Sequence, residues 1–213
     1  MSKIEVVPGS GLRLIFDGDK CIHSRNCVLS RPDVFVPNVE GEWLHPEKAT
    51  TAEIIELAHD CPSGTISFER TDGGPGEQPP MVNVIRVREN GPLAVHAELS
   101  LGPDTLLRAT LCRCGASGKK PFCDGSHAAA SFSASGEAAP RPDEELASRS
   151  GRVTIKGVAN GPLLIAGPVE IVTGTGHTIV KTAHAALCRC GQSGSKPFCD
   201  GAHAKVGFTA APV

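Results

Sequence analysis

The sequence predicts a mostly β protein with an α+β N-terminal part, in which a small mixed domain precedes two β-rich modules. Three observations support this. Residues 1–70 combine strand patterns with one amphipathic helix, a 16-residue cysteine and histidine motif occurs twice, and similar strand patterns precede both copies. We predict three domains, at residues 1–70, 81–135 and 150–213. Two copies that each bring half a sheet are expected to pack as an intramolecular pseudo-twofold dimer.

Composition limits the class of protein. The 213 residues carry a formal net charge of −2 and include seven Phe, one Trp and no Tyr, so large side chains for a core are scarce. The charge gives no basis for a nucleic-acid or membrane partner. No apolar run approaches the ~20 residues of a bilayer span, and the first residues lack signal-peptide features. We therefore expect a cytoplasmic protein whose nine Cys bind metal rather than form disulfides.

The N-terminal domain is expected to pair an early strand with a late one across a helix. Leu12, Leu14 and Phe16 alternate with Arg13 and Ile15, as expected for a strand with one buried face. Residues 50–53 form a capping box, and the apolar face of the following helix ends at Cys61. Residues 66–68 are then predicted to form a closing strand that pairs with residues 12–16. The Gly- and Pro-rich residues 71–80 are predicted to be a linker.

Three cysteines of this domain, Cys21, Cys27 and Cys61, have a spacing similar to that of bacterial single-cluster ferredoxins. The usual ferredoxin run is C-x2-C-x2-C with a distant Cys-Pro, and here Ser24 stands at the middle position. The resemblance implies a ferredoxin-like domain with either a 3Fe-4S cluster on the three Cys or a 4Fe-4S cluster with an unusual fourth ligand. The alternative is an empty site or buried reduced thiols.

The rest of the chain is organised around the repeated motif at residues 112–127 and 188–203, which reads C-x-C, eight residues, C, three residues, H. Alternate residues of an extended segment point the same way, so the first two thiols can face one centre. A Cys and a His four apart share a face of a helical turn, which Asp124 and Asp200 are expected to cap. The candidate ligands are Cys112, Cys114, Cys123 and His127 in the first copy and Cys188, Cys190, Cys199 and His203 in the second.

These residues alone leave the metal open. Four such ligands can hold one structural zinc ion, or a 2Fe-2S cluster with two ligands for each iron. The C-x-C spacing is less usual than C-x2-C in zinc knuckles, which slightly favours the cluster.

The stretch C-x-C-x2-S-x3-P-F-C-D-G-S-H resembles the signature of the CDGSH iron–sulfur family, the mitoNEET type. Both copies match along the whole motif, except that Ala202 stands where Ser126 stands in the first copy. The resemblance implies two 2Fe-2S clusters, each held by three Cys and one His, and a β-rich fold that dimerises. The missing Ser hydroxyl is expected to remove a hydrogen bond and make the two sites unequal.

These ligand sets predict a redox function. Three thiolates and one imidazole leave a 2Fe-2S centre with less negative charge than four thiolates, so its potential should exceed that of all-Cys ferredoxins. We predict electron transfer, with a cluster carrier or a redox and pH sensor as the alternative and a structural zinc protein as a third class. The expected partners are redox or apo-acceptor proteins, and the expected state is a monomer. Nucleophile-elbow, phosphate-loop and dinucleotide motifs are missing from the sequence, so we do not expect an enzyme.

Other residues receive simpler interpretations. Asn90-Gly and Asn160-Gly predict hairpins, and residues 133–151 predict a flexible or partly helical connector. Histidines outside the motifs are interpreted as surface or structural residues, although His23 lies inside the first cysteine loop and would contact the shell of a cluster there. Basic residues around the motifs are expected to be solvated and able to steer an acidic partner: Arg113, Lys119, Lys120, Arg189 and Lys196.

Overall fold

The computed structural model describes residues 4–213. The chain separates into two compact units between Gln78 and Pro79, inside the segment predicted to be a linker. Each unit has its own hydrophobic core. None of the helices in the described residues is long and apolar enough to cross a membrane.

The N-terminal unit is a three-stranded antiparallel sheet with helices on the connection between its second and third strands. Leu14 pairs with Phe68 in the register of β2 and β3, which confirms the predicted pairing of residues 12–16 with residues 66–68. The first strand was not predicted. The elements are β1 (Ile4–Gly9), β2 (Leu12–Asp17), α1 (Asn26–Ser30), α2 (Thr51–Asp60) and β3 (Ile66–Arg70), with short 3₁₀ turns at Gly18–Lys20 and Pro46–Lys48.

Helix α2 begins at the predicted capping box. The Thr50 side chain accepts a hydrogen bond from the Glu53 amide, and the Thr50 amide donates to the Glu53 carboxylate at 2.8 Å. The buried face of the helix carries Ile54, Leu57 and Ala58, as its spacing predicts. Cys61 is the C-cap, so the end of the helix places this thiol at the edge of the core.

The C-terminal unit is one six-stranded sheet, and each cysteine motif ends in a single helical turn. The two predicted hairpins are confirmed, because the strands on either side of each Asn-Gly turn pair antiparallel and each Asn has a positive φ. The first copy contributes β4 (Val84–Val87), β5 (Leu93–Leu101), β6 (Asp104–Leu111) and α3 (Ser126–Ala129). The second contributes β7 (Arg152–Gly157), β8 (Leu163–Val172), β9 (Thr178–Leu187) and α4 (Ala202–Lys205).

The two copies exchange strand pairings. Within each copy the three strands are antiparallel, but β4 also pairs in parallel with β8, and β7 pairs in parallel with β5. The first strand of each copy thus lies against the long middle strand of the other. Because β4, β5, β7 and β8 pair in a closed order, their inward faces form one shared core. Strand β5 shows the expected alternation, with every second residue buried from Leu93 to Leu101.

The connector at residues 133–151 contains no helix and follows the sheet instead. The Arg141 amide donates to the Ile179 carbonyl at 2.7 Å, and the Glu144 amide donates to the Lys181 carbonyl at 2.8 Å. Asp143 accepts from both the amide and the ammonium group of Lys181. The partly helical alternative was wrong, because β9 supplies edge partners for the backbone of residues 141–144, and local composition does not reveal such partners.

Candidate metal centres

Each cysteine motif starts at the end of a long strand and folds back onto that strand. In the first copy the Cys112 amide donates to the Pro121 carbonyl, and the Cys123 amide donates to the Thr110 carbonyl, both at 2.8 Å. The second copy repeats both bonds, from Cys188 to Pro197 and from Cys199 to Ala186. The strand end and the returning loop therefore hold the first and third cysteines of each motif beside each other.

The first two cysteines of each motif form a close pair of sulfur atoms. The Sγ atoms of Cys112 and Cys114 are 3.7 Å apart, and those of Cys188 and Cys190 are 3.8 Å apart. Two sulfurs that each bind one tetrahedral metal at about 2.3 Å lie about 3.8 Å from each other. The observed separations thus match two thiolates on one metal atom.

The third cysteine of each motif forms a second pair with the histidine. Cys123 Sγ lies 3.3 Å from Nδ1 of His127, and Cys199 Sγ lies 3.4 Å from Nδ1 of His203. A sulfur at about 2.3 Å and an imidazole nitrogen at about 2.0–2.1 Å from one tetrahedral metal are about 3.5 Å apart. The turn at Gly125, with φ +87°, brings the histidine back over the cysteine.

The eight ligand candidates thus occur as four pairs. In residues 4–213 no group of three or more His, Cys, Asp or Glu side chains is close enough to hold a single metal ion. Each motif offers two pairs, with a chain reversal between them. Two pairs suit a centre with two metal atoms, whereas a single zinc ion needs all four ligands around one point.

Backbone amides point at the sulfur atoms. In the first copy the Ala116 amide donates to Cys114 Sγ and the Gly125 amide donates to Cys123 Sγ, both at 3.4 Å. The second copy has the equivalent donors at Gln192 and Gly201. Such donors stabilise negative charge on the ligand sulfurs.

The thiols of the first motif differ in acidity. A hydrogen bond from the Cys114 thiol lowers the pKa of Cys112 to about 6, and the same pairing raises the pKa of Cys114. Burial raises the pKa of Cys123 to about 11. Metal binding must therefore displace the proton that Cys112 and Cys114 share in their hydrogen bond, and the proton of Cys123.

Asp124 was predicted to be the N-cap of helix α3, but Gly125 occupies that position. Asp124 instead stabilises the loop before the helix. Its carboxylate accepts from the Gly118 amide at 2.8 Å and from the Ser126 amide at 3.0 Å. Burial raises the pKa of Asp124, but the Ser126 hydroxyl, which also donates to the carboxylate, and these two amides outweigh it and lower the pKa to about 2. The hydroxyl of Ser126 thus acts on Asp124.

The second copy lacks that donor. Amides of Ala202 and Gly194 lower the pKa of Asp200, and the Ser193 hydroxyl adds to them, whereas position 202 has no hydroxyl. The two loops are therefore alike in backbone geometry, but their carboxylates accept from different hydroxyl groups.

The two motif arginines are buried, so the expectation that they are solvated and steer a partner was wrong. Arg113 and Arg189 are each 1% exposed. The Arg113 guanidinium donates to four backbone carbonyls, those of Arg88, Gly91, Ala134 and Ser135, at 2.6–3.3 Å. Arg189 donates to the carbonyls of Val158, Gly161 and Ala211. The occurrence of Arg in both C-x-C segments was the available sequence signal for this role.

The lysines around the motifs have a different role from these arginines. Lys120 donates to the Ser117 carbonyl, and Lys196 donates to the Ser193 carbonyl, so each closes its own loop. Lys119 remains exposed in the same loop.

Each motif also contacts the backbone of the other. A Cβ atom added at Gly115 would lie 2.7 Å from the Cys190 carbonyl oxygen, and one added at Gly191 would lie 2.5 Å from the Cys114 carbonyl oxygen. Only glycine allows so close an approach. The two candidate centres are thus held next to each other through their own ligand residues.

In the N-terminal unit, Cys21, Cys27 and Cys61 line one cavity. Burial raises the pKa of the Cys21 and Cys27 thiols. The structure thus brings together three cysteines, of which Cys27 and Cys61 are separated by 33 intervening residues.

Both parts of the chain match known protein families that bind iron or iron–sulfur clusters. Residues 90–128 and 160–204 each match the family described as the iron-binding zinc finger of CDGSH type. Residues 7–71 match the family described as a divergent 4Fe-4S mono-cluster. Both resemblances expected from the sequence are confirmed. Among curated proteins none matches this chain.

The glycine contact between the motifs can be tested with a matched pair of variants. Gly115 and Gly125 have nearly equal φ values of +85° and +87°, but an added Cβ at Gly125 meets nothing within 4 Å. We expect Gly115→Ala to lower the free energy of unfolding by about 1–3 kcal/mol more than Gly125→Ala, because only the former forces two backbones apart. Urea denaturation followed by circular dichroism measures both. Equal losses would contradict the contact.

The Ser126 and Ala202 difference predicts unequal retention of iron. Loss of the two centres, followed by visible absorbance, should be biphasic, with rates that differ about 2- to 10-fold, since one hydrogen bond contributes about 0.5–1.5 kcal/mol. Ser126→Ala should leave one fast phase, and Ala202→Ser should leave one slow phase. Because the pKa of Asp124 is lowered to about 2, its carboxylate keeps this bond above pH ~4 and loses it as the pH falls toward 2. A single phase in the unmodified protein would show that the hydroxyl has no effect.

Proposed function

We propose, since this chain belongs to the CDGSH iron-binding family and carries two such domains, that it binds one 2Fe-2S cluster in each motif and transfers electrons. We propose further that it acts as an electron carrier and not as an enzyme. In each motif the C-x-C thiolates hold one iron, and the third cysteine and the histidine hold the other. A 2Fe-2S cluster supplies one-electron redox chemistry when it is bound.

The pairing of the ligand atoms is the observation that carries this proposal. Sulfur–sulfur distances of 3.7 and 3.8 Å and sulfur–nitrogen distances of 3.3 and 3.4 Å each suit two ligands on one tetrahedral metal. A chain that used the same residues for one zinc ion would need to bring both pairs to one point.

The residues around the ligands are suited to raise the reduction potential. One neutral imidazole replaces a thiolate in each motif, which removes one negative charge relative to an all-cysteine site. Amide donors to Cys114 and Cys123 further stabilise charge on the sulfurs. The buried guanidinium of Arg113 places a positive charge near Cys188 and Cys114. All three effects favour the reduced state.

The two motifs are proposed to work as an internal pseudo-twofold dimer in a monomeric chain. The exchanged pairings of β4 with β8 and of β7 with β5 support this, as do the contacts of Gly115 and Gly191 with the opposite motif. Both histidine ligands are only half buried, so each cluster would have an edge near the surface for a redox or apo-acceptor protein.

The N-terminal unit is proposed to hold a third centre, a 4Fe-4S cluster bound by Cys21, Cys27 and Cys61. The family match and the convergence of the three thiols on one cavity support it. Several redox centres in one chain suit internal electron transfer better than a purely structural metal site does.

The charge argument predicts the effect of changing the histidines. The double variant His127→Cys, His203→Cys should keep its visible absorption and lower the potential of both centres by on the order of 100 mV, because each gains a negative charge. His184→Cys, outside the motifs, is the control. Redox titration followed by visible absorbance measures the change. An unchanged potential would refute the charge argument, and a colourless protein with one zinc ion per motif would refute the proposed function.

A cluster carrier or sensor is the second candidate function. The half-buried histidines, on helical turns of four residues each, favour it because such ligands are easily reached and released. If this function holds, apo-ferredoxin should acquire iron from the loaded protein several-fold faster than the visible absorbance decays without an acceptor. Equal rates would leave electron transfer as the function.

A further inference from the structure

The cavity of the N-terminal unit has the size and lining of a prosthetic-group site near the surface, with His23 exposed at its edge. Its volume is about 290 Å³, whereas one water occupies about 30 Å³ in the liquid. Apolar side chains, among them Phe16, Trp43 and Ile66, form part of its wall together with the three cysteines. The three thiols do not close around one metal ion, and the space between them suits a larger group.

Tertiary contacts hold the three thiols around this space. The Asn26 side-chain amide donates to the Asp60 carbonyl at 3.0 Å, which fixes α1, and with it Cys27, against the end of α2. Cys61 follows directly as the C-cap of α2. Cys61 is also electrostatically coupled to both Cys21 and Cys27, so all three thiols are near neighbours.

A fourth potential ligand, His23, lies on the same cavity. Its amide donates to Cys21 Sγ at 3.4 Å, and its exposed imidazole, with Nδ1 3.9 Å from that sulfur, is free to turn away from Cys21 toward a separate iron. His23 and Arg25 both have left-handed backbones, with φ of +54° and +65°. Such values are uncommon for residues other than glycine, and they curl the loop so that residues 21–25 all line the cavity.

We propose that His23 is the fourth ligand of the N-terminal centre, which is then a 4Fe-4S cluster held by Cys21, Cys27, Cys61 and His23. Ser24, at the position that a ferredoxin fills with cysteine, is the competing candidate and also lines the cavity. A neutral imidazole binds iron without losing a proton, whereas a serine hydroxyl must first be deprotonated. The inference rests on the proposed N-terminal cluster.

The test compares four variants of the full chain after anaerobic loading with iron and sulfide: His23→Ala, His23→Cys, Ser24→Ala and His59→Ala. His59 belongs to the same unit but does not line the cavity. The measurements are iron and sulfide per chain and the EPR spectrum of the oxidised protein. Oxidised 2Fe-2S and 4Fe-4S centres are silent in that spectrum and a three-iron centre is not, so the C-terminal motifs do not interfere.

We expect about eight irons per chain and no oxidised signal in the unmodified protein, Ser24→Ala and His59→Ala. His23→Ala should fall to about seven irons with a three-iron signal, or lose the third centre altogether, while His23→Cys should keep about eight. Circular dichroism confirms that each variant is folded.

Other outcomes overturn the proposal in distinguishable ways. About four irons in the unmodified protein would refute the N-terminal cluster itself and, with it, a ligand role for His23. About seven irons with a three-iron signal in the unmodified protein would show that the three cysteines act alone. If His23→Ala keeps eight irons, His23 is not a ligand. The same conclusion follows if His23→Cys loses as much iron as His23→Ala does. Loss of iron in Ser24→Ala would show that Ser24 is the ligand instead.

Discussion

The burial of one arginine in each C-x-C segment is the constraint on which the C-terminal unit depends. A desolvated guanidinium is costly unless its donors are satisfied and its charge is opposed. Hydrogen bonds to carbonyls of the hairpin and of the segment after α3 satisfy the donors of Arg113. Burial lowers its pKa to about 10, and Cys188 and Cys114 oppose that shift once they are ionised, as metal binding requires. Each buried cation is therefore stabilised by a cysteine of the other motif when that thiol ionises.

This arrangement makes the two copies depend on each other. Ionised Cys188 raises the pKa of Arg113, and ionised Cys112 raises the pKa of Arg189. The exchanged strands β4 and β7 and the close glycine contacts connect the same two regions through the backbone. A change in the charge at one motif is thus expected to alter the environment of the other, which suits a pair of redox centres better than two independent metal sites.

Local sequence patterns predicted what depends on neighbours along the chain. The capping box at Thr50, the Asn-Gly hairpins and the pairing of cysteine with histidine four residues later all follow from backbone geometry over a few residues. The roles of Arg113 and Asp124 were not predicted correctly. A basic side chain in a polar motif is usually solvated, and only the carbonyls of residues about 20 positions away reveal why Arg113 is buried.

By itself the sequence predicted the candidate ligands of the two motifs, the families that the chain resembles and most of the strands, because spacing and periodicity along the chain indicate them. Only the tertiary structure decided that each motif presents two pairs of ligands, that the copies exchange parallel strands, and that His23 joins three cysteines at one cavity. These features depend on contacts between residues far apart in the chain, such as Gly115 with Cys190, and no local pattern encodes them.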